Sequence, residues 1–199
     1  GFATGFSLGL IIPISVLYFG DILNATELQI SIILTISGLV GMSCNLYAGR
    51  LSDKIGRKPI LALGGIPARL AFIALPFAPN LAQATGLMVF GSFVQNVSMP
   101  AGQALAADLI PSETRGRLFG RLGAFYYLGM IVGPILGTWV YAIYSPQVFK
   151  VAWLGNLAVK GAGVPFFVSS AVGLTGLLLT LVLVEEPRRK SRSPAAPFM

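Results

Sequence analysis

The sequence contains little charge and no histidine. Only 11% of its 199 residues are charged, and seven of these are Asp or Glu. A typical soluble domain carries about 25% charged residues, so this chain lacks the polar surface that a soluble fold needs. With no histidine and one cysteine, Cys44, it offers neither a disulfide framework nor the usual zinc ligands. We therefore expect no metal and no cofactor.

Long apolar stretches occupy most of the chain, and hydrophobic residues make up 55% of it. A bilayer crossing requires about 20 apolar residues. Turn and charge signals divide the sequence into six such spans, at residues 1–19, 30–48, 60–77, 82–107, 118–144 and 164–184. The first span is already apolar at Gly1, so we expect the natural N-terminus to lie further upstream.

These spans predict an all-α integral membrane bundle of six transmembrane helices over residues 1–187. The Pro-, Ser- and Arg-rich end of the chain, residues 188–199, is typical of a disordered cytoplasmic linker or tail. No span carries a paired nucleophile and base or a carboxylate dyad, so an enzymatic function is not expected.

The basic residues predict the orientation of the bundle. Eleven of the fourteen flank the even-numbered loops and the tail, whereas Lys150 and Lys160 lie in odd-numbered loops and Arg69 lies inside a span. Under the positive-inside rule, the even-numbered loops and both termini face the cytoplasm of a plasma or inner membrane. This distribution explains the net charge of +7 without nucleic acid, which we do not expect as a partner.

A glycine- and charge-rich segment, Gly49-Arg50-Leu51-Ser52-Asp53-Lys54-Ile55-Gly56-Arg57-Lys58-Pro59, connects spans two and three. We expect a tight cytoplasmic turn here, in which Gly49 permits close helix packing and Gly56 adopts a conformation that other residues avoid. The segment resembles the signature loop of the major facilitator superfamily, G-x-L-x-D-r-x-G-R-k. The defining residues that match are Gly49, Asp53, Gly56, Arg57 and Lys58.

A second pattern occurs in span five. Gly120, Gly129, Gly133, Pro134 and Gly137 are similar to the pattern G-x8-G-x3-G-P-x2-G-G of the antiporter branches of that family, with Thr138 in place of the last glycine. Glycines at every fourth position give a smooth helix face for close backbone approach. Such a face is equally typical of simple packing in transporters that are not antiporters, so both interpretations remain open.

The resemblance covers the whole chain and implies the N-terminal six-helix half of a transporter with a 3+3 inverted repeat. It implies proton-coupled efflux of small amphipathic or drug-like organic molecules by alternating access. A second six-helix half, either a missing C-terminal half or a second copy, and membrane lipid would be its partners. The alternatives are a uniporter or symporter of a metabolite such as a sugar or organic acid, and a truncated non-transporting protein. Antiporters of this group usually carry a basic residue in span four, and none occurs between Arg69 and Arg115.

Several polar or helix-bending residues inside the spans are candidates for the substrate pathway. Arg69 is a charge at membrane depth, which normally faces a cavity or a partner. Spans one and four are counterparts in the repeat, and proline interrupts both, at Pro13 and Pro100. The candidates are Pro13, Asn45, Arg69, Gln95, Met99 and Gln103. Ordinary interhelical hydrogen bonding is the competing interpretation of the polar ones.

The resemblance also implies an ion pair at the cytoplasmic ends of spans three and four, because the family pairs the corresponding arginine and acid. We therefore predict that the Arg57 guanidinium lies within about 4 Å of the Asp108 carboxylate. We call this pair the charge latch. It would hold the cytoplasmic ends together in the outward-facing state.

Overall fold

The computed structural model describes residues 1–151 and 157–184, and within them seven α-helices dominate. The predicted tail at residues 188–199 lies outside the described residues. In chain order the helices are α1 Phe2–Asp21, α2 Glu27–Ser43, α3 Asn45–Ile55, α4 Arg57–Ala74, α5 Leu81–Leu109, α6 Arg115–Tyr144 and α7 Val164–Leu183.

The six predicted spans correspond to α1, the bent pair α2 and α3, and α4 to α7. Four segments are long and apolar enough to cross a membrane: Phe2–Asp21, Arg57–Phe77, Ser112–Tyr144 and Gly161–Leu183. The pair formed by α2 and α3, bent by 45°, counts as a fifth. α5, with 29 residues, is long enough but is not among these segments, because its three glutamines and its asparagine interrupt its apolar stretches.

Local chemistry fixes the helix ends at both surfaces. α2 begins with a capping box, in which Thr26 and Gln29 each accept a hydrogen bond from the other's backbone amide. Asn80 caps α5 by accepting from the Gln83 amide. Gly56 separates α3 from α4 with a φ of 117°, which confirms its predicted role. The expected turn at residues 49–59 is wrong in extent, because α3 continues through Ile55.

The bundle is organised around two helices, α1 and α5. α1 packs along α6 and α7, whereas α5 packs along α4 and α2, and α4 also contacts α7. The side chains of Leu10, Ile14, Phe19, Leu75 and Phe166 are fully buried between these helices. Lipid tails are as apolar as these side chains, so close packing and interhelical hydrogen bonds hold the helices together.

Two helices present large apolar side chains that the rest of the described chain leaves uncovered. On α2, Leu39 and Met42 are 63% and 70% exposed, and on α6, Ile131, Ile135 and Trp139 are each 63% exposed. Contiguous apolar surface of this kind marks contact with lipid or with another protein. These two faces are therefore available for lipid or for a second bundle.

A two-stranded antiparallel hairpin follows α6 and was not predicted from the sequence. Its strands are β1 Val148–Val151 and β2 Leu157–Lys160, in a register that places Val148 opposite Lys160 and Val151 opposite Leu157. A 3-10 turn at Gly161–Gly163 then leads into α7. The hairpin lies between the outer ends of α6 and α7 and is a small addition to an otherwise helical fold.

Candidate functional site

The cytoplasmic ends of α3, α4 and α5 meet around Arg57, the first residue of α4. Its guanidinium contacts the Asp108 carboxylate and donates a hydrogen bond to the Ala104 carbonyl, both near the end of α5. On α3, an Asp53 carboxylate oxygen lies 3.9 Å from Arg57 Nη2. The side chain of Arg57 is 22% exposed and that of Asp108 is 40% exposed. One guanidinium thus joins three helices at the water boundary.

The Arg57–Asp108 ion pair is present in the structure, and its role as a charge latch stays a prediction. The expectation for Gly49 is wrong for the described part of the chain, because a Cβ at that position would meet none of its atoms within 4 Å. Gly49 lies inside α3, on a part of that helix that no neighbour approaches closely. The space there would accept a small side chain.

Lys58 connects the same cytoplasmic cluster to α7. Its ammonium donates a hydrogen bond of 2.8 Å to the Leu181 carbonyl. That carbonyl is one of the last four of α7, which have no partner within the helix. A cation at a helix C-terminus also interacts favourably with the helix dipole. Lys58 therefore caps α7 and fixes its end against α4.

Replacing Lys58 with methionine will free the end of α7. The substitution keeps most of the apolar stem and removes a charge-assisted hydrogen bond, which contributes about 1.5–3 kcal/mol. We expect amide hydrogen exchange in the last turn of α7 to accelerate about tenfold. The control is Lys160→Met, at an exposed position near the outer surface. Equal protection of the α7 end in both variants would contradict the capping role.

The glycines of span five form a seam with glycines of α1. A Cβ at Gly133 would lie 2.6 Å from the Phe6 carbonyl oxygen, and one at Gly129 would lie 2.5 Å from that of Phe2. From the other side, a Cβ at Gly9 would lie 2.7 Å from the Met130 carbonyl oxygen. Only glycine allows two helix backbones to approach this closely.

The other residues of the predicted span-five pattern, Pro134, Gly137 and Gly120, differ in how they relate to this α1–α6 seam. Pro134 has no N–H, so the Met130 carbonyl loses its intrahelical partner, and Gly9 lies directly against that freed carbonyl. Gly137 packs on the Leu10 side chain. At Gly120, in contrast, an added Cβ would meet no other part of the described chain within 4 Å, so this glycine takes no part in the seam. The seam partners on α1 were not predicted, although Gly5 and Gly9 share the four-residue spacing.

Arg69 lies inside the bundle, where it links α4 to α1 and α7. It is 4% exposed, and its Nη1 donates a hydrogen bond of 2.5 Å to Ser7 Oγ. Ser7 Oγ lies 2.8 Å from Ser169 Oγ, and Ser169 Oγ donates to the Ser7 carbonyl at 3.0 Å. The Arg69 side chain also packs on Gly173, where a Cβ would lie 2.5 Å from its Nε.

These bonds have one consistent direction. Ser7 Oγ accepts a hydrogen bond from Arg69, and the Ser169 hydroxyl donates its proton to the Ser7 carbonyl. The remaining bond, between the two hydroxyls, therefore has Ser7 as the donor and Ser169 Oγ as the acceptor. The positive charge polarises this chain and strengthens each bond in it. Within the described residues, no carboxylate forms an ion pair with Arg69, and its Nε has no hydrogen-bond partner.

Replacing Ser169 with alanine will destabilise the bundle, because it removes both bonds that tie α7 to Ser7. Interhelical hydrogen bonds of this kind contribute about 0.6 to 2 kcal/mol in membranes. The matched control is Ser170→Ala, because Ser170 is also fully buried but its hydroxyl has no partner in the described part of the chain. Thermal unfolding in detergent should show a loss for Ser169→Ala and none for Ser170→Ala. A larger loss of stability for Ser170→Ala than for Ser169→Ala would disprove the role of the Ser7–Ser169 hydrogen bonds.

The remaining pathway candidates do not form one cluster. Gln95 is buried, with its Oε1 unpartnered among the described residues, whereas Met99 is 36% exposed and Gln103 is exposed. Asn45 begins α3 at the bend after α2, and its Oδ1 is buried without a partner in the same part of the chain. Pro13 is half-buried within α1. Met99 and Gln103 thus face a surface that the described helices leave open, while Gln95 faces the bundle.

Comparison with known proteins places this arrangement among membrane transporters. A family model described as Major Facilitator Superfamily matches residues 1–198. The quinolone resistance protein NorA of Staphylococcus aureus is 25% identical over 186 residues, which cover 94% of this chain and 43% of that protein. The class H tetracycline resistance protein of Pasteurella multocida is 26% identical over 188 residues, covering 92% of this chain and 42% of that protein.

A solved structure shares the fold. A variant of the peptide transporter POT in complex with sulfate matches with a TM-score of 0.65 and 21% identity, over 98% of this chain and 39% of that one. The chain therefore spans less than half the length of each of these proteins. Its whole length corresponds to one part of a longer transporter fold.

Proposed function

The chain belongs to the major facilitator superfamily, and on that premise we propose that it forms one half of a secondary active transporter. The cargo is a small amphipathic or drug-like organic molecule, and the protein exports it by alternating access. Two relatives whose names refer to resistance against quinolones and tetracycline support this choice of cargo. The protein is an integral membrane protein, since several of its helices are apolar enough to cross a bilayer.

The observation that carries the proposal is the convergence of three helices on Arg57. A two-state transporter needs a contact at its cytoplasmic surface that is made in one state and broken in the other. The Arg57 cluster is of that kind, because it is partly exposed, charged and built from helix ends that can separate. The α1–α6 seam and the Arg69 chain hold α1, α4, α6 and α7 together, so that these helices move as one unit while the cytoplasmic ends of α3 and α5 separate from Arg57.

We propose that export is coupled to protons, although α5 carries no basic residue at the position where antiporters of this group usually have one. The support is the glycine pattern of α6. The alternative, a uniporter or symporter of a metabolite, is favoured by the missing basic residue. The two predict different responses to an imposed pH gradient. A proton antiporter moves cargo opposite to the proton flow, a proton symporter moves it in the direction of the proton flow, and a uniporter does not respond.

The second half of the transporter is proposed to pack against the uncovered faces of α2 and α6. These faces carry large exposed apolar side chains, including Met42 and Trp139. The exposed Met99 and Gln103 would then line a pathway between the two halves. The isolated chain supplies one wall of that pathway, so it is not expected to transport as a monomer.

Flux in proteoliposomes tests the proposal. The protein expressed from its own full coding sequence is reconstituted, and uptake of a quinolone and of a fluorescent dye is followed with and without a pH gradient. Saturable flux that depends on the gradient is the expected result. Saturable flux that ignores the gradient would favour the uniporter, and no flux of any cargo would refute transport.

A further inference from the structure

Arg69 determines the electrostatic character of the bundle interior. It is the one Lys, Arg, Asp or Glu side chain that is buried, among the residues whose burial the structure describes. The described carboxylates all lie at helix ends or in turns, where water is close. They are Asp21, Glu27, Asp53, Asp108 and Glu113.

The charge of Arg69 is not neutralised by its neighbours. Its polar partners are the hydroxyls of Ser7 and, through it, Ser169. Hydroxyl dipoles solvate a cation but leave its net charge unchanged. Within the described helices no carboxylate is buried with it. The part of the bundle that the structure describes therefore has an uncompensated positive potential in its interior.

That potential extends along α1 to one of the pathway candidates, Pro13. Arg69 bonds to Ser7 of α1, and Pro13, a pathway candidate on the same helix, follows Ser7 by six residues, or about 9 Å of helix rise. Between two unit charges about 10 Å apart, at the effective dielectric constant of about 20 that suits protein sites, the Coulomb interaction changes the affinity for a charged cargo roughly tenfold. The effect is attractive for an anionic group and repulsive for a cation.

We propose that the protein prefers cargo that carries a carboxylate or another anionic group over organic cations of similar size and hydrophobicity. The preference rests on the transport function proposed above and specifies its substrate class. Arg69 acts on the cargo through its field and does not touch it, because it is enclosed by α1, α4 and α7. It is a specificity-determining residue.

Two dyes of the xanthene type test this preference, fluorescein as the anion and rhodamine 123 as the cation. Their relative kcat/KM is measured in proteoliposomes containing the full-length protein, and their relative Kd in detergent. We expect the unmodified protein to favour fluorescein about tenfold. Arg69→Gln should abolish the preference, and Ser7→Asp should do the same by placing a carboxylate beside the retained arginine.

Matched controls separate charge from packing. Ser7→Ala removes the same hydroxyl as Ser7→Asp without adding charge, so the preference should persist. Lys160→Gln removes an exposed charge near the outer surface and should also leave it unchanged. An anion-to-cation ratio that is the same in Ser7→Asp, Ser7→Ala and the unmodified protein would overturn the proposal, as would a preference for rhodamine. Transport of neither dye nor of any quinolone would instead refute the transport function itself.

Discussion

Replacing Gly133 with alanine will destabilise the bundle by about 3 kcal/mol, at the upper end of the cost of overpacking a tight interface. The added Cβ would lie 2.6 Å from the Phe6 carbonyl oxygen and 2.8 Å from the Leu10 amide nitrogen. Both atoms belong to the backbone of α1, so no side-chain rotation can relieve the clash. α1 has to move away from α6, and the other contacts of the seam are lost with it.

Gly120→Ala provides the matched control, since it belongs to the same sequence pattern on the same helix. The added Cβ would meet nothing within 4 Å in residues 1–151 and 157–184, and alanine is favoured over glycine in a helix by up to about 1 kcal/mol. Thermal unfolding in detergent should therefore show a large loss for Gly133→Ala and no loss for Gly120→Ala. Equal effects of the two substitutions would show that the seam does not hold α1 and α6 together.

Arg57→Ala will shift the transporter toward its inward-open state. The substitution removes the ion pair with Asp108 and the charged hydrogen bond to the Ala104 carbonyl. A loss of about 2 kcal/mol corresponds to roughly a thirtyfold change in the equilibrium between the two states. We expect transport to fall at least tenfold, since a transporter held in one state cannot complete its cycle.

Thiol labelling can report this shift. The native Cys44 is replaced by serine and a cysteine is placed at the exposed Gln103 of α5. Labelling of that cysteine from the cytoplasmic side should increase in the Arg57→Ala background. An unchanged labelling rate, despite correct insertion, would show that Arg57 does not control cytoplasmic opening.

The exchange of the two charges, Arg57→Asp with Asp108→Arg, separates the ion pair from the other contacts of Arg57. The double variant restores opposite charges across α4 and α5 but loses the bond from Arg57 to the Ala104 carbonyl. We expect it to transport better than either single variant, although less than the unmodified protein. A double variant no more active than the single ones would eliminate the charge latch, even though the two groups touch.

The long helices could be predicted because their limits follow from composition. α4, α5 and α6 begin and end within a few residues of the predicted spans, since charges and capping residues mark the boundaries of apolar stretches. The bend between α2 and α3 at Cys44 could not be predicted from the sequence, because neither glycine nor proline lies at that position. Next to the bend, the Ser43 hydroxyl bonds back to the Val40 carbonyl, but Ser31, Thr35 and Ser37 make similar bonds within unbroken α2.

The hairpin was missed although its sequence contained a signal. Val148, Phe149 and Val151 are residue types that favour strands, but an otherwise helical sequence gives no reason to expect an isolated pair of strands. The length of α3 was underestimated because the sequence signals for a turn were given too much weight. Charge and two glycines suggested a turn, yet only Gly56 has a φ that interrupts the helix.

The sequence predicts that Arg69 faces protein, but it does not predict which residues Arg69 contacts. A charge at that depth has to face protein, and the structure places it there with 4% exposure. Its partner Ser7 lies 62 positions before it in sequence, and Ser169, which bonds to Ser7, lies 162 positions after Ser7. Nothing local identifies such pairs, because they arise from how α1, α4 and α7 cross. The partner glycines of the α1–α6 seam are hidden for the same reason.

Opposed changes in accessibility at the two membrane surfaces provide the most direct test of alternating access. Two variants in the Cys44→Ser background carry one cysteine each, at Val16 in the outer half of α1 or at Gln103 near the cytoplasmic end of α5. Both positions are exposed in the bundle. We predict that adding cargo changes the two labelling rates in opposite directions, and that Arg57→Ala raises the rate at position 103 while lowering it at position 16. Rates that rise or fall together, or do not respond to cargo, would contradict transport by alternating access.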